Sequence, residues 1–133
     1  MSVEDNVALV RRWIDAVNEA DLRGVEDLLA DGFVYHGPPN PDVVGREAMK
    51  SVLRAGREIF PGTHYVIDDV IASGDKVAVR FTCSGVHKGE FRGIAGSGKK
   101  VVIEGAAFYR LDNGRIAHMW AYEDELGLIG QIE

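Results

Sequence analysis

The run GRIAHMWAYEDELGLIGQI, from Gly114 to Ile132, combines a strand pattern with a helix pattern. Its first half alternates as a strand does, and the preceding Asp112-Asn113-Gly114 is a tight hairpin turn that joins it to another strand. Its second half, Leu126 to Ile132, has the composition of one short closing helix. The run therefore predicts a strand that pairs with its predecessor and then gives way to a helix.

The two faces of this last strand differ in character, because side chains alternate between the faces of a sheet. The larger residues share one face, which is expected to be the concave one beneath the helices: Ile116, His118, Trp120, Tyr122 and, if the strand continues, Asp124. The smaller residues Ala117, Met119 and Ala121 share the other. A histidine, a tryptophan and a carboxylate would then project into one apolar space. A bulge would shift this assignment by one residue.

Three helices are predicted upstream of the strands. The first begins after Ser2, the second begins at Asp21, and the third runs from about Arg46 to Phe60. Between the last two lies GPPNPD, Gly37 to Asp42, whose prolines exclude a helix and indicate a rigid loop. All the helical segments thus precede the strands, apart from the short closing one.

The remaining strands are Tyr65 to Ala72, Lys76 to His87 and Val101 to Leu111. In the middle strand an apolar set is expected to face the helices, because burial of apolar surface stabilises the fold by about 25 cal/mol per Å²; this set is Val77, Val79, Phe81 and Cys83. The sequence therefore predicts an α+β fold in a single domain, residues 1–133: a curved antiparallel sheet forming a cone-shaped half-barrel with about three helices on its concave face.

Composition excludes several classes of function. The formal net charge of −6 disfavours nucleic acid and anionic membrane surfaces, both of which attract basic proteins. No apolar run approaches the length of a membrane span and no signal-peptide pattern is present, so a cytoplasmic location is expected. The single cysteine, Cys83, allows no internal disulfide, and the four histidines lack metal-ligand spacing, so no metal site is expected.

Four segments, taken in order, resemble one known family. FVYHGPP and GREAMKSVL resemble its F-V-x-H-x-P-P and G-R-E-A-x-x-x-x-L motifs, and GVHKGEFRGIAGSGKKV resembles G-T-H-x-G-E-F-x-G-I-x-x-T-G-R-x-V. The C-terminal run is similar to G-R-I-x-x-x-W-x-x-x-D-x-L-G-L-L-x-Q-L. These are motifs of the SnoaL-like polyketide cyclases, and the resemblance spans most of the chain.

This resemblance implies a fold similar to that of nuclear transport factor two and an intramolecular aldol condensation of an aromatic polyketide ester, without metal or coenzyme. It implies that Asp124, four residues after Trp120, is the acid and base. Such a role fits a carboxylate in an apolar pocket, because desolvation raises its pKa toward the operating pH. The resemblance also implies a homodimer through the convex face of the sheet, with Arg80, Thr82 and Ser84 as interface candidates.

Six further residues are candidates for contact with a small apolar or aromatic carbonyl ligand. His36, His87 and His118 are expected to donate hydrogen bonds to the developing oxyanion. The aromatic residues Phe81, Trp13 and Trp120 are expected to line the cone, although both tryptophans are most simply explained as core residues. The glycine-rich segment Lys88 to Lys99 is expected to be a flexible lid or a long hairpin connection.

Several alternatives remain open at the level of the sequence. Asp124 also stands at an N-cap distance from the closing helix. His36 could satisfy loop backbone groups, and His87 could be an exposed edge residue. Other reactions on such a cone are a ketosteroid-isomerase-like proton shuttle and epoxide hydrolysis. A different class is a non-catalytic module that binds a small molecule or only dimerises.

Overall fold

The computed structural model describes all 133 residues and contains four helices. They are α1 (Val3–Asn18), α2 (Leu22–Leu28), α3 (Arg46–Ile59) and α4 (Glu125–Ile132). The three helices expected before the strands are present, and the closing helix makes the count four rather than three. The Ser2 hydroxyl accepts a hydrogen bond from the Asp5 N–H and starts α1 as predicted. None of the helices has the length and apolar character needed to cross a membrane.

Six strands form one curved sheet with the order β2-β1-β6-β5-β4-β3. Their bounds are β1 (Leu29–His36), β2 (Val43–Val44), β3 (His64–Ser73), β4 (Lys76–Val86), β5 (Lys100–Asp112) and β6 (Arg115–Glu123). The α+β class is confirmed, and β3 to β6 form the predicted antiparallel meander. The sheet is not antiparallel throughout, because β1 pairs in parallel with β6. The alternation of residues in β1 does not indicate which strand it pairs with. This long-range pairing therefore could not be predicted from the local sequence.

The core lies between the concave face of the sheet and the helices. The inward set of β4 is buried there as predicted, and it packs with α1 residues such as Leu9, Val10 and Trp13. Two polar side chains fix the helices to this layer. The amide of Asn18 donates to the Tyr65 carbonyl at 2.9 Å and accepts from the Tyr65 N–H at 2.7 Å. The Arg57 guanidinium donates to the carbonyl of Val17 at 2.7 Å, which ties α3 to the C-terminal end of α1.

A bulge in β6 decides which of its side chains face the helices. Arg110 pairs with His118 and Leu111 pairs with Ile116, so Ala117 is an extra residue in β6. Ile116 is fully buried, but beyond the bulge the inward residues are Met119, Ala121 and Glu123. The prediction that His118, Trp120 and Tyr122 face the concave side is therefore wrong, because one extra residue moves every later side chain to the opposite face.

Candidate active site

A cavity of about 550 Å³ lies between the concave face of the sheet and the helices, and its wall is mostly apolar. Trp13 and Phe81, two of the predicted ligand contacts, are part of this wall. Gly105 gives Phe81 its position, since a Cβ at Gly105 would lie 2.6 Å from the Phe81 ring. The Phe81 ring therefore lies close over Gly105, the β5 residue that pairs with both Phe81 and Glu123. The volume suits a small organic ligand.

Glu123, the last residue of β6, places a carboxyl group on this wall. Its side chain remains accessible because it borders the open cavity. Desolvation by the surrounding protein nevertheless raises the pKa of this carboxyl, and the nearby charge of Glu125 raises it further. A carboxyl that is both accessible and partly desolvated has the properties of a proton acceptor and donor.

Two phenols and a thiol also lie on the cavity wall and are influenced by Glu123. Burial raises the pKa of Tyr35 to about 12 and that of Cys83 to about 12, and the charge of Glu123 contributes to both. Burial, followed by the same charge, also raises the pKa of Tyr65. At neutral pH these phenols and the thiol are therefore uncharged and able to donate hydrogen bonds. Besides Glu123, the residues of the wall with a carboxyl or guanidinium group are Arg54, Arg57, Glu58, Arg92 and Glu125.

Asp124 lies outside the cavity wall and is exposed. Its carboxylate accepts a hydrogen bond from the Gly127 N–H at 2.9 Å and caps α4, while its own N–H donates to the Glu104 carbonyl at 3.1 Å. Of the two candidate roles of Asp124, catalysis and helix capping, the geometry therefore shows capping. The sequence pattern did not indicate the neighbouring Glu123 as the acid and base, because only the bulge at Ala117 directs its side chain inward.

His36, His118 and Trp120 lie together on the convex face, away from the cavity. Nδ1 of His36 contacts the Asp42 carboxylate at 3.0 Å, and Nε2 of His36 contacts Nδ1 of His118 at 3.1 Å. The Trp120 indole stacks on both imidazoles, with ring centroids 5.0 and 5.4 Å away. Burial, then the charges of Arg110 and His36, lower the pKa of His118. The expectation that these three residues contact a ligand in the cone is corrected: the bulge turns His118 and Trp120 outward, and His36 alternates with the inward Tyr35.

His87 is fully buried and is neither an exposed edge residue nor part of the cavity wall. Its Nδ1 accepts from the Ser97 N–H at 3.2 Å and contacts the Ser97 hydroxyl at 2.9 Å. The ring packs against Phe60, which does line the cavity, with centroids 5.5 Å apart. His87 therefore supports the cavity wall from behind and holds the loop of residues 87–99 in place.

The same loop reaches the cavity through Phe91 and Arg92. The Arg92 guanidinium pairs with the carboxylate of Glu125 at the start of α4, and it donates to the Asn40 side chain at 3.3 Å. One side chain thus joins three segments of the chain at the cavity: the β1–β2 connection, the β4–β5 connection and α4. No group of three or more His, Cys, Asp or Glu side chains is arranged to hold a metal ion.

This fold and this cavity agree with a family match over residues 7–132, to the model described as SnoaL-like polyketide cyclase. The chain belongs to the SnoaL-like polyketide cyclase family. None of the curated proteins matches it significantly. Family membership supports a cyclase- or isomerase-type role and a small apolar ligand.

Solved structures show the same architecture. A putative SnoaL-like polyketide cyclase from Jannaschia sp. CCS1 is 25% identical with a TM-score of 0.90, over 97% of this chain and 92% of that one. IdmH, a putative polyketide cyclase from Streptomyces antibioticus, is 25% identical with a TM-score of 0.85, over 95% and 96% of the two chains. An NTF2-like protein from Burkholderia xenovorans LB400 shares the fold, at 17% identity and a TM-score of 0.80, over 100% and 99%.

Proposed function

We propose that the protein catalyses an intramolecular aldol-type ring closure, or a related proton transfer, on an apolar carbonyl compound bound in the cavity. Glu123 is the proposed acid and base. The observation that carries this proposal is a carboxyl group of raised pKa on the wall of a mostly apolar cavity. Similar solved proteins are named as putative polyketide cyclases, which supports a polyketide as the substrate. The resemblance of the sequence motifs implies an aromatic polyketide ester.

The proposed reaction balances without metal or coenzyme. The Glu123 carboxylate takes a proton from the carbon next to a carbonyl group, and the electron pair of the C–H bond moves onto the carbonyl oxygen as an enolate. The enolate carbon then forms a C–C bond with a second carbonyl carbon of the same molecule. Glu123 returns its proton to the alkoxide produced there. A base with a pKa raised toward neutrality can perform both transfers.

Asp124 is the alternative base, because the resemblance of the C-terminal run assigns the role to it. Two matched variants separate these residues. Glu123→Gln removes the ionisable group from the cavity, and Asp124→Asn removes the neighbouring charge while keeping an N-cap side chain. Turnover and binding are measured with a panel of aromatic polyketide esters on both variants and on the wild type.

Turnover is expected to fall by about 10²- to 10⁴-fold in Glu123→Gln with binding retained, and to stay within about threefold in Asp124→Asn. The reverse pattern would transfer the role to Asp124. Tight binding with no turnover by the wild type would instead favour a non-catalytic binding module, which is the second candidate function because the same cavity suits it.

We also propose a homodimer through the convex face of the sheet. Large apolar side chains are exposed there on neighbouring strands, including Val66, Val102, Phe108 and Tyr122, and the Phe108 and Tyr122 rings contact each other with centroids 6.3 Å apart. The interface candidates Arg80, Thr82 and Ser84 lie on β4 between these strands. Sedimentation is expected to show a dimer for the wild type and a monomer for Phe108→Glu. A monomeric wild type would contradict this proposal.

A further inference from the structure

Three tyrosines line the cavity, and they differ in their surroundings. Tyr109 is only 3% exposed, and the Tyr65 ring packs edge-on against Phe81 with centroids 5.3 Å apart. The Tyr35 hydroxyl has no protein partner, yet it is not sealed away as a buried unpaired atom. It is therefore a donor that remains available to a molecule inside the cavity.

The direction in which the Tyr35 ring points is set by Gly37. A Cβ at Gly37 would lie 2.6 Å from Cε1, 2.7 Å from the hydroxyl oxygen and 2.8 Å from Cζ of Tyr35. The phenol therefore leans over Gly37, forward along the direction of β1. Only a residue without a side chain leaves room for this placement.

The same direction leads toward Glu123. β1 and β6 are parallel, and Tyr35 pairs with Met119. Glu123 lies four residues further along β6, about 13 Å at the usual strand rise. A phenol that leans forward by one side-chain length covers part of this distance. The remaining distance between the Tyr35 hydroxyl and Glu123 is spanned by the cavity next to Ala121, which is large enough for part of a planar ring.

We propose that the Tyr35 hydroxyl donates a hydrogen bond to the ligand's carbonyl oxygen, on which negative charge develops when the adjacent carbon loses its proton. This inference rests on the proposed function, because the charge arises when a base takes that proton. It predicts that the site prefers a ligand whose oxygen carries negative charge, as the oxygen of an enolate or a phenolate does.

The physical reason for this role of Tyr35 is the mostly apolar wall of the cavity. An enolate oxygen that forms there has lost its hydration, and a donor already in place stabilises it more than water-exposed donors would. The phenol suits this purpose because burial and the charge of Glu123 raise its pKa to about 12, so that it stays protonated at neutral pH. It can therefore donate while Glu123 titrates.

The test uses 2-naphthol, whose ionised form is planar and phenolate-like and absorbs at longer wavelength than the neutral form. Binding and the ionisation state of the bound probe are followed by absorbance at pH 8. Glu123→Gln is expected to bind the naphtholate at least about tenfold more tightly than the wild type does, because Gln imitates the protonated acid and removes a like charge. This arm tests the proposed base alone.

Tyr35→Phe, made in the wild type and in Glu123→Gln, tests the inference. A hydrogen bond to a charged oxygen is lost, so naphtholate affinity is expected to fall about tenfold or more in both backgrounds. Gly37→Ala retains the hydroxyl but displaces it, and is expected to weaken binding several-fold. Tyr122→Phe removes a hydroxyl from the convex face of the same sheet and serves as the matched control, with an expected change of less than about twofold.

Naphtholate affinity that is unchanged in both Tyr35→Phe and Gly37→Ala would overturn the inference and leave the role of Glu123 standing. No tightening in Glu123→Gln, together with weakening in Tyr35→Phe, would remove Glu123 as the base and support Tyr35 as the oxygen-binding group. A wild type that does not bind 2-naphthol at all would overturn the proposed ligand class.

Discussion

The two faces of the sheet both carry ionisable side chains where β1 pairs with β6, but the surroundings of these side chains differ. On the concave face Glu123 and the Tyr35 hydroxyl border the mostly apolar cavity, where a ligand can reach them. On the convex face His36 and His118 are already bonded to each other and, through His36, to Asp42. Polar groups that are saturated by neighbours stabilise a surface, whereas polar groups left available inside a cavity are disposed to act on a ligand.

The largest expected effect that separates the faces is on turnover. Glu123→Gln and His118→Gln each place a neutral amide on β6, one inside the cavity and one on the convex face. The first is expected to lose about 10²- to 10⁴-fold in kcat and the second less than about threefold, measured on the ester panel. A large loss of kcat in His118→Gln would indicate that the reaction takes place on the convex face.

The next effect concerns stability and uses one phenylalanine from each face. Phe81 is 5% exposed on the concave side, and Phe108 is 48% exposed on the convex side. Phe81→Ala is expected to cost about 3 to 5 kcal/mol of unfolding free energy, because it leaves a cavity in the core. Phe108→Ala is expected to cost less than about 1 kcal/mol when measured by urea unfolding of a dilute sample. Equal costs would contradict the assignment of the faces.

A third, smaller effect is the pH dependence of Glu123. Because its pKa is raised in the folded protein, folding is favoured by the protonated form. This contribution is fully present below the ordinary value of 4.5 and is lost as pH rises through the higher folded pKa. Thermal unfolding should therefore show Glu123→Gln gaining stability relative to the wild type between acid and neutral pH. A stability difference between the two proteins that does not change with pH would contradict the raised pKa of the Glu123 carboxyl.

The smallest effect is expected from the convex face. Because burial and nearby positive charge lower the pKa of His118, the folded state resists protonation that the unfolded state accepts. The stability linked to His118 is therefore present above the ordinary value of 6.5 and declines as pH falls through the lower folded pKa. Thermal midpoints from pH 8 to 5 should drop slightly more in the wild type than in His118→Gln. Parallel curves would show that His118 is not perturbed.

The sequence by itself determined the local elements, because their signals lie in neighbouring residues. Ser2 and Asp21 start their helices as predicted, and α4 follows Asp124. The alternation in β4 correctly placed Phe81 inward, since an apolar face must be buried whatever its partner is. Four motifs in register also indicated the family that the chain belongs to.

Only the tertiary structure decided which carboxylate and which aromatic residues reach the cavity. The bulge at Ala117 exists because of how β6 pairs with β5, and the parallel pairing of β1 with β6 brings Tyr35 onto the same wall. Neither pairing can be recognised from the neighbouring residues in the sequence. A shift of one residue in the strand register moves every later side chain of that strand to the opposite face. That is the physical reason why the sequence indicated Asp124 and His118, while the structure places Glu123 and Tyr35 in the cavity.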